Sequence, residues 1–266
     1  MQGIKNEKHY HGTIMKKIIV ILTVELVLSI FTFVCAQEEG LFSNSGFEIT
    51  GDMSVFSQYV WRGMILDRDV VLQPGFYIAS PKYKFGRLKA GIWANQPLQN
   101  RDNLKSEEVD YIIDYTYDFK KASFSLGHTY YDFIEADTYT REFYIGLSFS
   151  ELFLNPSVYF YRDYGKPENG GGQGSYTLIS VSHTFSVLPD KLNLELSGHV
   201  GFNHELFING NGQDIGVKAG IAMSFTKNLT FVPNLNYSIP LADLRSSNDG
   251  NQKDRFYGGA TMAYVF

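Results

Sequence analysis

Cysteine is nearly missing from this chain: Cys35 is the only one in 266 residues. A lone cysteine excludes an internal disulfide framework. An excess of basic charge is missing too, with 23 Lys and Arg against 28 Asp and Glu. That balance leaves no basic footprint of the kind nucleic-acid binding requires. After Gln37 no apolar run reaches the length of a membrane-spanning helix. No composition break divides the chain beyond that point, so one domain is expected.

The beginning of the chain differs from the rest. Lys16 and Lys17 precede an apolar run, Ile18 to Val34, and Val34-Cys35-Ala36 supplies small residues before a cut ahead of Gln37. This order is that of a secretory signal peptide over residues 1–36. Met15 is expected as the initiator, which leaves His9 and His11 without weight as metal ligands. Two other readings exist. A membrane helix would carry Glu25 in the middle of a marginal span. A lipoprotein anchor on Cys35 would follow Thr32-Phe33-Val34, a poor acylation context. Cleavage at Ala36 removes Cys35, and with it any thiolate chemistry. Residues 1–36 hold four of the basic and two of the acidic residues, so the remainder carries 19 against 26 and a charge of about −7. A short segment, 37–45, then leads to the main domain, 46–266.

What fills that domain is alternation. Aromatic residues make up 15% of the chain, with 18 Tyr and 21 Phe, as suits strands. The last stretch sets Phe256, Gly258, Ala260, Met262, Tyr264 and Phe266 on one face and Arg255, Tyr257, Gly259, Thr261, Ala263 and Val265 on the other. The same period runs through Phe47–Trp61, 108–118, 192–203 and 214–224. Weaker versions span 69–80, 84–95, 122–133, 139–150, 153–163, 175–186, 229–240 and 254–266. Twelve such segments of about eleven residues match tilted strands crossing a bilayer. An even count suits bacterial single-chain barrels, and closure gives every backbone group a partner. The expected fold is therefore an all-β transmembrane antiparallel up-and-down barrel. A soluble barrel or sandwich would use shorter strands.

The connections alternate in length. Short ones are expected near 81–84, 119–121, 150–152, 187–191 and 226–228. Longer ones fall at 96–106, 164–174, 204–213 and 241–253, with shorter members of that set at 63–68 and 134–138. Short periplasmic turns and long outer loops are the asymmetry of this class. Tyr59, Trp61, Tyr117, Phe119, Tyr237, Tyr264 and Phe266 stand near strand ends, where aromatic girdles belong. The final strand, through Met262, Tyr264 and Phe266, is the expected signal for the envelope's barrel-assembly machinery.

Several motifs go beyond pattern. Ser57, Tyr59, Arg62 and Gly63 form a Ser-x-Tyr-x-x-Arg-Gly block; Gln73 and Gly75 follow around Pro74. Gly86, Gly91, Trp93 and Asn95 form a second block, Glu108-Val109-Asp110-Tyr111 a third, and Glu142, Tyr144 and Gly146 a fourth. In order and spacing these resemble the TorF or Gcw_chp family of uncharacterised bacterial outer-membrane proteins, over about 51–147. The resemblance implies an outer-membrane location. It implies no substrate and carries over no catalytic residue.

Function must come from the side chains that line the barrel. Alternation puts Glu48, Asp52, Glu108, Asp110, Asp114, Asp118, Glu142, Glu195 and Asp214 inward, against Arg62, Arg87, Lys89 and Lys218. Twelve strands lie between the side-chain-filled eight and the water-filled sixteen. A narrow passive channel for small solutes is expected, mildly cation-preferring because acids outnumber bases. Arg87 and Lys89 lie on the strand beside Asp110 and Asp114, where ion pairs would narrow the passage. The alternative is a non-conducting structural barrel, or one that recognises partners through outer loops such as 165–174 and 245–254. The oxygen-rich 245–254 stretch lacks the full spacing of a calcium loop. Arg62 either binds an anion at the mouth or pairs with an inward acid, with Gly63 turning the chain into an outer loop. An enzyme of the lipase or deacylase type is the weakest reading: of His128, His183, His199 and His204, only His199 has a nearby inward acid, Glu195. No metal or other cofactor is expected. The expected partners are the bilayer, the assembly machinery and small solutes or cations, with no nucleic acid.

Overall fold

The computed structural model describes residues 46–99, 101, 104–250 and 252–266. The expected leader, with Cys35, and the segment 37–45 lie outside the described residues. Twelve antiparallel strands close into a barrel: β1 (Glu48–Phe56), β4 (Val71–Ala79), β5 (Arg87–Pro97), β6 (Glu108–Phe119), β7 (Ala122–Phe133), β8 (Thr138–Ser148), β9 (Ser157–Asp163), β10 (Ser175–Leu188), β11 (Leu192–His204), β12 (Asn211–Ser224), β13 (Leu229–Leu241) and β14 (Arg255–Val265). Each pairs with its neighbour in the chain, and β1 closes on β14 with Met53 opposite Met262. Two further strands, β2 (Tyr59–Trp61) and β3 (Met64–Asp67), form a separate hairpin inserted between β1 and β4.

Directly paired residues share a face, so the register sorts inside from outside. One hydrogen-bonded row passes through Leu147, Val158, Ile179, Val200, Ile215 and Ile239, from β8 to β13. The first five are exposed, as are Leu88, Ile113, Val217 and Leu235 on the same outer surface. The opposite face carries a row from Lys89 through Asp114, Gly127, Tyr144, Tyr161 and Tyr176 to Asn203. Asp114, Tyr176 and Asn203 in it are buried. Oily residues thus cover the exterior and polar ones fill the centre, the reverse of a soluble barrel.

Small inward glycines make room for large inward rings. A Cβ on Gly127 would lie 2.2 Å from the ring of its partner Tyr144, which reaches over that strand. The Tyr144 hydroxyl then donates to Asp114 Oδ2 on β6 at 2.7 Å.

The connections fall into two sets. At one end, the turn end, they are 80–86, 120–121, 149–156, 189–191 and 225–228. At the other, the loop end, they are 57–70, 98–107, 134–137, 164–174, 205–210 and 242–254. Three differ from expectation. The turn expected at 150–152 spans 149–156, longer than the loop-end connections 134–137 and 205–210. The 241–253 loop contains a helix, α1 (Ala242–Gly250), whose Leu244 is fully buried against Met64 and Ile208. The first connection is the largest departure. Residues 63–68 do not form an outer loop; they belong to the β2–β3 hairpin.

Candidate functional site: a hairpin across the lumen

The first strand ends earlier than its alternation suggests. Phe56 pairs with Val71, so the 57–70 segment leaves and re-enters the sheet at one place. Ser57 ends the strand by accepting from Gly258 N through its Oγ at 3.3 Å, while its own amide donates to Gly258 O at 2.9 Å. The segment is rich in large apolar side chains: Trp61, Met64, Ile65 and Leu66 surround its tip. Burial of these favours an inward course over exposure to water. Trp61 pairs with Met64, which leaves Arg62 and Gly63 as a two-residue turn. Both have positive φ, 50° and 75°, the signature of a type I′ hairpin. Glycine suits the second site sterically as well, since a Cβ on Gly63 would stand 2.6 Å from Asp214 Cβ.

The hairpin reaches strands around the barrel, which is possible only from inside. Tyr59 Oη donates to Glu108 Oε2 on β6 at 3.0 Å. Arg62 donates through Nη1 and Nη2 to both oxygens of Glu142 on β8, at 2.6 and 2.8 Å. The Arg62 guanidinium lies 4.3 Å from the ring centres of Trp61 and of Tyr161 on β9, and 4.7 Å from that of Tyr176 on β10. Ile65 N donates to Gln252 Oε1 beyond α1, at 2.9 Å. Asp67 Oδ2 accepts from Ser106 Oγ at 2.5 Å, and Asp69 Oδ1 from Arg101 Nε at 2.7 Å. Trp61 packs edge-on against Tyr131 of β7 and Phe207 of the 205–210 loop.

Arg62 and Glu142 are buried together, with side chains 9% and 2% exposed. Burial works against the charge on Arg62. The Glu142 carboxylate and its two hydrogen bonds outweigh that and hold the guanidinium above its ordinary pKa. Tyr131 Oη donates a further bond to Glu142 Oε1 at 3.1 Å. Beside Gly63 a second carboxylate is satisfied: Asp214 Oδ1 accepts from Tyr176 Oη, and Asp214 Oδ2 meets His199 Nε2, both at 2.8 Å. Two gaps flank the hairpin. One of about 180 Å³ lies toward β6–β9, between Trp61, Met64, Glu108, Tyr131 and Glu142. The other, about 190 Å³, lies toward β11–β14, between Arg62, His199, Asp214, Lys218 and Tyr257. Above them a polar vestibule of about 860 Å³ opens among the 164–174 and 205–210 loops and α1.

Sequence motifs and structure meet at this hairpin. Ser57, Tyr59, Arg62 and Gly63 supply it, and Glu108 and Glu142 receive it. Gln73 and Asn95 extend the network through Gln73 Nε2 to Asn95 Oδ1 at 2.9 Å, and Asn95 Nδ2 to Ser106 O at 2.7 Å. Arg62 pairs with an acid, one of its two anticipated roles, but from the hairpin and not from the barrel wall. Gly63 turns that hairpin and leads to no outer loop. Tyr59 and Trp61 are interior contacts, not members of an aromatic girdle. His199 meets Asp214 in place of Glu195. Arg87 bonds Glu48 at 3.3 Å and not the acids of β6. Lys89 stands opposite Asp114 with its Nζ over the Tyr77 ring at 5.6 Å. Asp110 is buried opposite Trp93, and its Oδ1 has no hydrogen-bond partner. Asp52 sits opposite Gly75 and Ala263; Glu195 and Lys218 are on the interior face of β11 and β12, Lys218 exposed to the second gap. Asp118 lies at the turn end, paired with Lys82. Met262 is on the outer surface; Phe266 packs against Phe76 and Tyr264, and its amide donates to Ile49 O at 2.9 Å. Tyr131, Tyr161 and Tyr176, which with Trp61 form a cage around the Arg62–Glu142 pair, are not among the residues that the sequence singles out. Tyr161 carried a local signal, since it stands two residues before Asp163 on the same face of β9.

A closed twelve-stranded barrel with an apolar exterior, a polar centre and an inserted first loop defines an outer-membrane-type β-barrel. Comparison with known proteins agrees. The chain belongs to the Gcw_chp family, described as bacterial proteins of unknown function, whose sequence model matches residues 41–235. Among solved structures the chain is similar to the NanC porin, with a TM-score of 0.50 at 8% identity, over 82% of this chain and 98% of that one. It is also similar to the COG4313 outer membrane channel from Pseudomonas putida F1, with a TM-score of 0.49 at 7% identity over 83% and 94%. The KdgM porin gives 0.48 at 10% identity over 82% and 99%. No curated protein matches the chain.

Proposed function

We propose that this protein is an outer-membrane channel constricted by its own first connection, which passes small cations in preference to anions and carries out no catalysis. The supporting observation is the charge around the hairpin. Glu108, Asp110, Glu142 and Asp214 surround it; of the bases there, Arg62 is committed to Glu142 and Lys218 faces the second gap. Acidic side chains at a constriction favour cations. The gaps of about 180 and 190 Å³ limit passage to small species. The fold shared with the NanC porin supports a barrel of this kind. In this reading the longer loops face outward, the bilayer surrounds the apolar exterior, and the strand ending at Phe266 is what the assembly machinery reads.

The test is the reversal potential of purified protein in planar bilayers across a potassium chloride gradient. Small, cation-preferring unit events are expected from the intact chain, and larger events after residues 58–69 are replaced by a short Gly-Ser linker. Anion preference, or silence from both forms, overturns the channel.

A second reading is favoured by the vestibule of about 860 Å³ over the hairpin. There the barrel would act as a surface receptor. Silence from both forms, with retained binding of a surface partner that is lost on cutting back 164–174, would move the assignment to this reading.

A further inference from the structure

The arginines of this protein are not all committed to carboxylates. Arg62, Arg87, Arg101 and Arg245 each meet a carboxylate. Among the described residues Arg141 and Arg162 form no ion pair, and Arg141 Nε is buried without a hydrogen-bond partner. Both stand on the outer surface. Arg162 pairs directly with Phe143, which is exposed on that face, and Tyr164 N donates to Arg141 O at 3.0 Å one step further on. The two arginines are therefore diagonal neighbours on adjacent strands, within reach of one ligand. Each is near the loop end of its strand: β8 begins at Thr138 and β9 ends at Asp163.

The surroundings hold the forks in place. The Arg141 guanidinium lies over the Tyr164 ring at 5.5 Å, and the Tyr164 hydroxyl is 2.6 Å from His128 Nε2. His128, Phe143, Arg162, Ser175 and His204 fall on one hydrogen-bonded row from β7 to β11. Across the barrel, the corresponding outer face of β12–β14 shows Ile215, Tyr237 and Phe256, with no basic residue among them. Two guanidinium groups without carboxylate partners at the rim of an apolar wall leave their donors free for an anion. A phosphate matches the planar fork bidentately, and a lipid phosphate would sit at this height with its chains along the wall.

We infer that the outer face of β7–β9 at the loop end is a binding site for a phosphorylated lipid headgroup, held by Arg141 and Arg162. The inference rests on the outer-membrane reading with the longer loops outward, but not on conduction. It predicts that protein in a non-ionic detergent, examined by native mass spectrometry, retains bis-phosphorylated lipid A about tenfold better than the same lipid stripped of phosphate. Arg141→Gln with Arg162→Gln is expected to abolish that preference, while heat-modifiable migration on gels and conductance stay as in the parent. Arg245→Gln, at the loop end but already paired, is expected to leave it intact. Arg141→Lys with Arg162→Lys keeps the charge and serves if the glutamine pair does not fold; a fall of about threefold is expected from loss of the fork. Equal retention of the two lipids by the parent chain overturns the inference. So does displacement by equimolar inorganic phosphate, which would make the site one for a free anion. Altered conductance with unchanged lipid preference would count against this site and leave the channel proposal standing.

Discussion

The two halves of the lumen are built differently from similar residue types. Toward the loop end, carboxylates are buried, and two are matched to partners from another part of the chain: Glu108 to Tyr59, and Glu142 to Arg62. Toward the turn end, Arg87 and Glu48 form a pair with 34% and 49% exposed side chains, and Lys89 rests over a tyrosine ring. The first arrangement fixes one geometry, because a buried charge that loses its partner is strongly penalised. The second is solvated and tolerant. In the proposed channel the loop-end half would set the shape and charge of the constriction, and the turn-end half would add only the solvated charge that an ion meets beyond it.

Arg62→Ala attacks this contrast most directly. It leaves Glu142 buried without its cation, at a cost of about 3–5 kcal/mol if the hairpin stays in place. A lower urea midpoint for refolded protein in detergent is expected, together with larger and noisier unit conductance. Next is Gly63→Val. With φ at 75° and Asp214 in the way, it is expected to cost about 1–3 kcal/mol and loosen the same hairpin. Arg87→Ala, at the other end, is expected to change stability by no more than about 1 kcal/mol, read as an unchanged urea midpoint. The smallest structural effect is expected from Lys89→Ala. Its stability is expected to match the parent, while cation preference rises in the reversal potential. If Arg87→Ala proved as damaging as Arg62→Ala, the division between the halves would be wrong.

The closed barrel was legible in the sequence because burial on a two-sided sheet imposes a period of two on nearly every strand. The final strand shows this: Phe256 to Phe266 alternate as the register with β1 and β13 requires. The hairpin was not legible, because Tyr59 and Trp61 continue the same period past the true end of β1 at Phe56. Nothing local distinguishes an aromatic residue at a membrane rim from one folded under a loop. Only contacts distant in sequence, such as Arg62 with Glu142, make the difference. The Arg-Gly dipeptide carried the one local hint, since it suits a type I′ turn better than the entry to a long loop. The cage was hidden for a related reason. Tyr131, Tyr161 and Tyr176 are inward, whereas aromatics in such barrels are expected at the outer rims.

Tryptophan fluorescence reports directly on the inward course of residues 57–70. The chain has two tryptophans, Trp61 in the hairpin and Trp93 in β5. In a Trp93→Phe background, Trp61 is the sole emitter. Blue-shifted emission with weak quenching by iodide is predicted, rising toward full quenching when Arg62→Ala is added. Red-shifted emission from Trp61, quenched by iodide as freely as an exposed indole before any second substitution, would contradict a hairpin folded across the lumen.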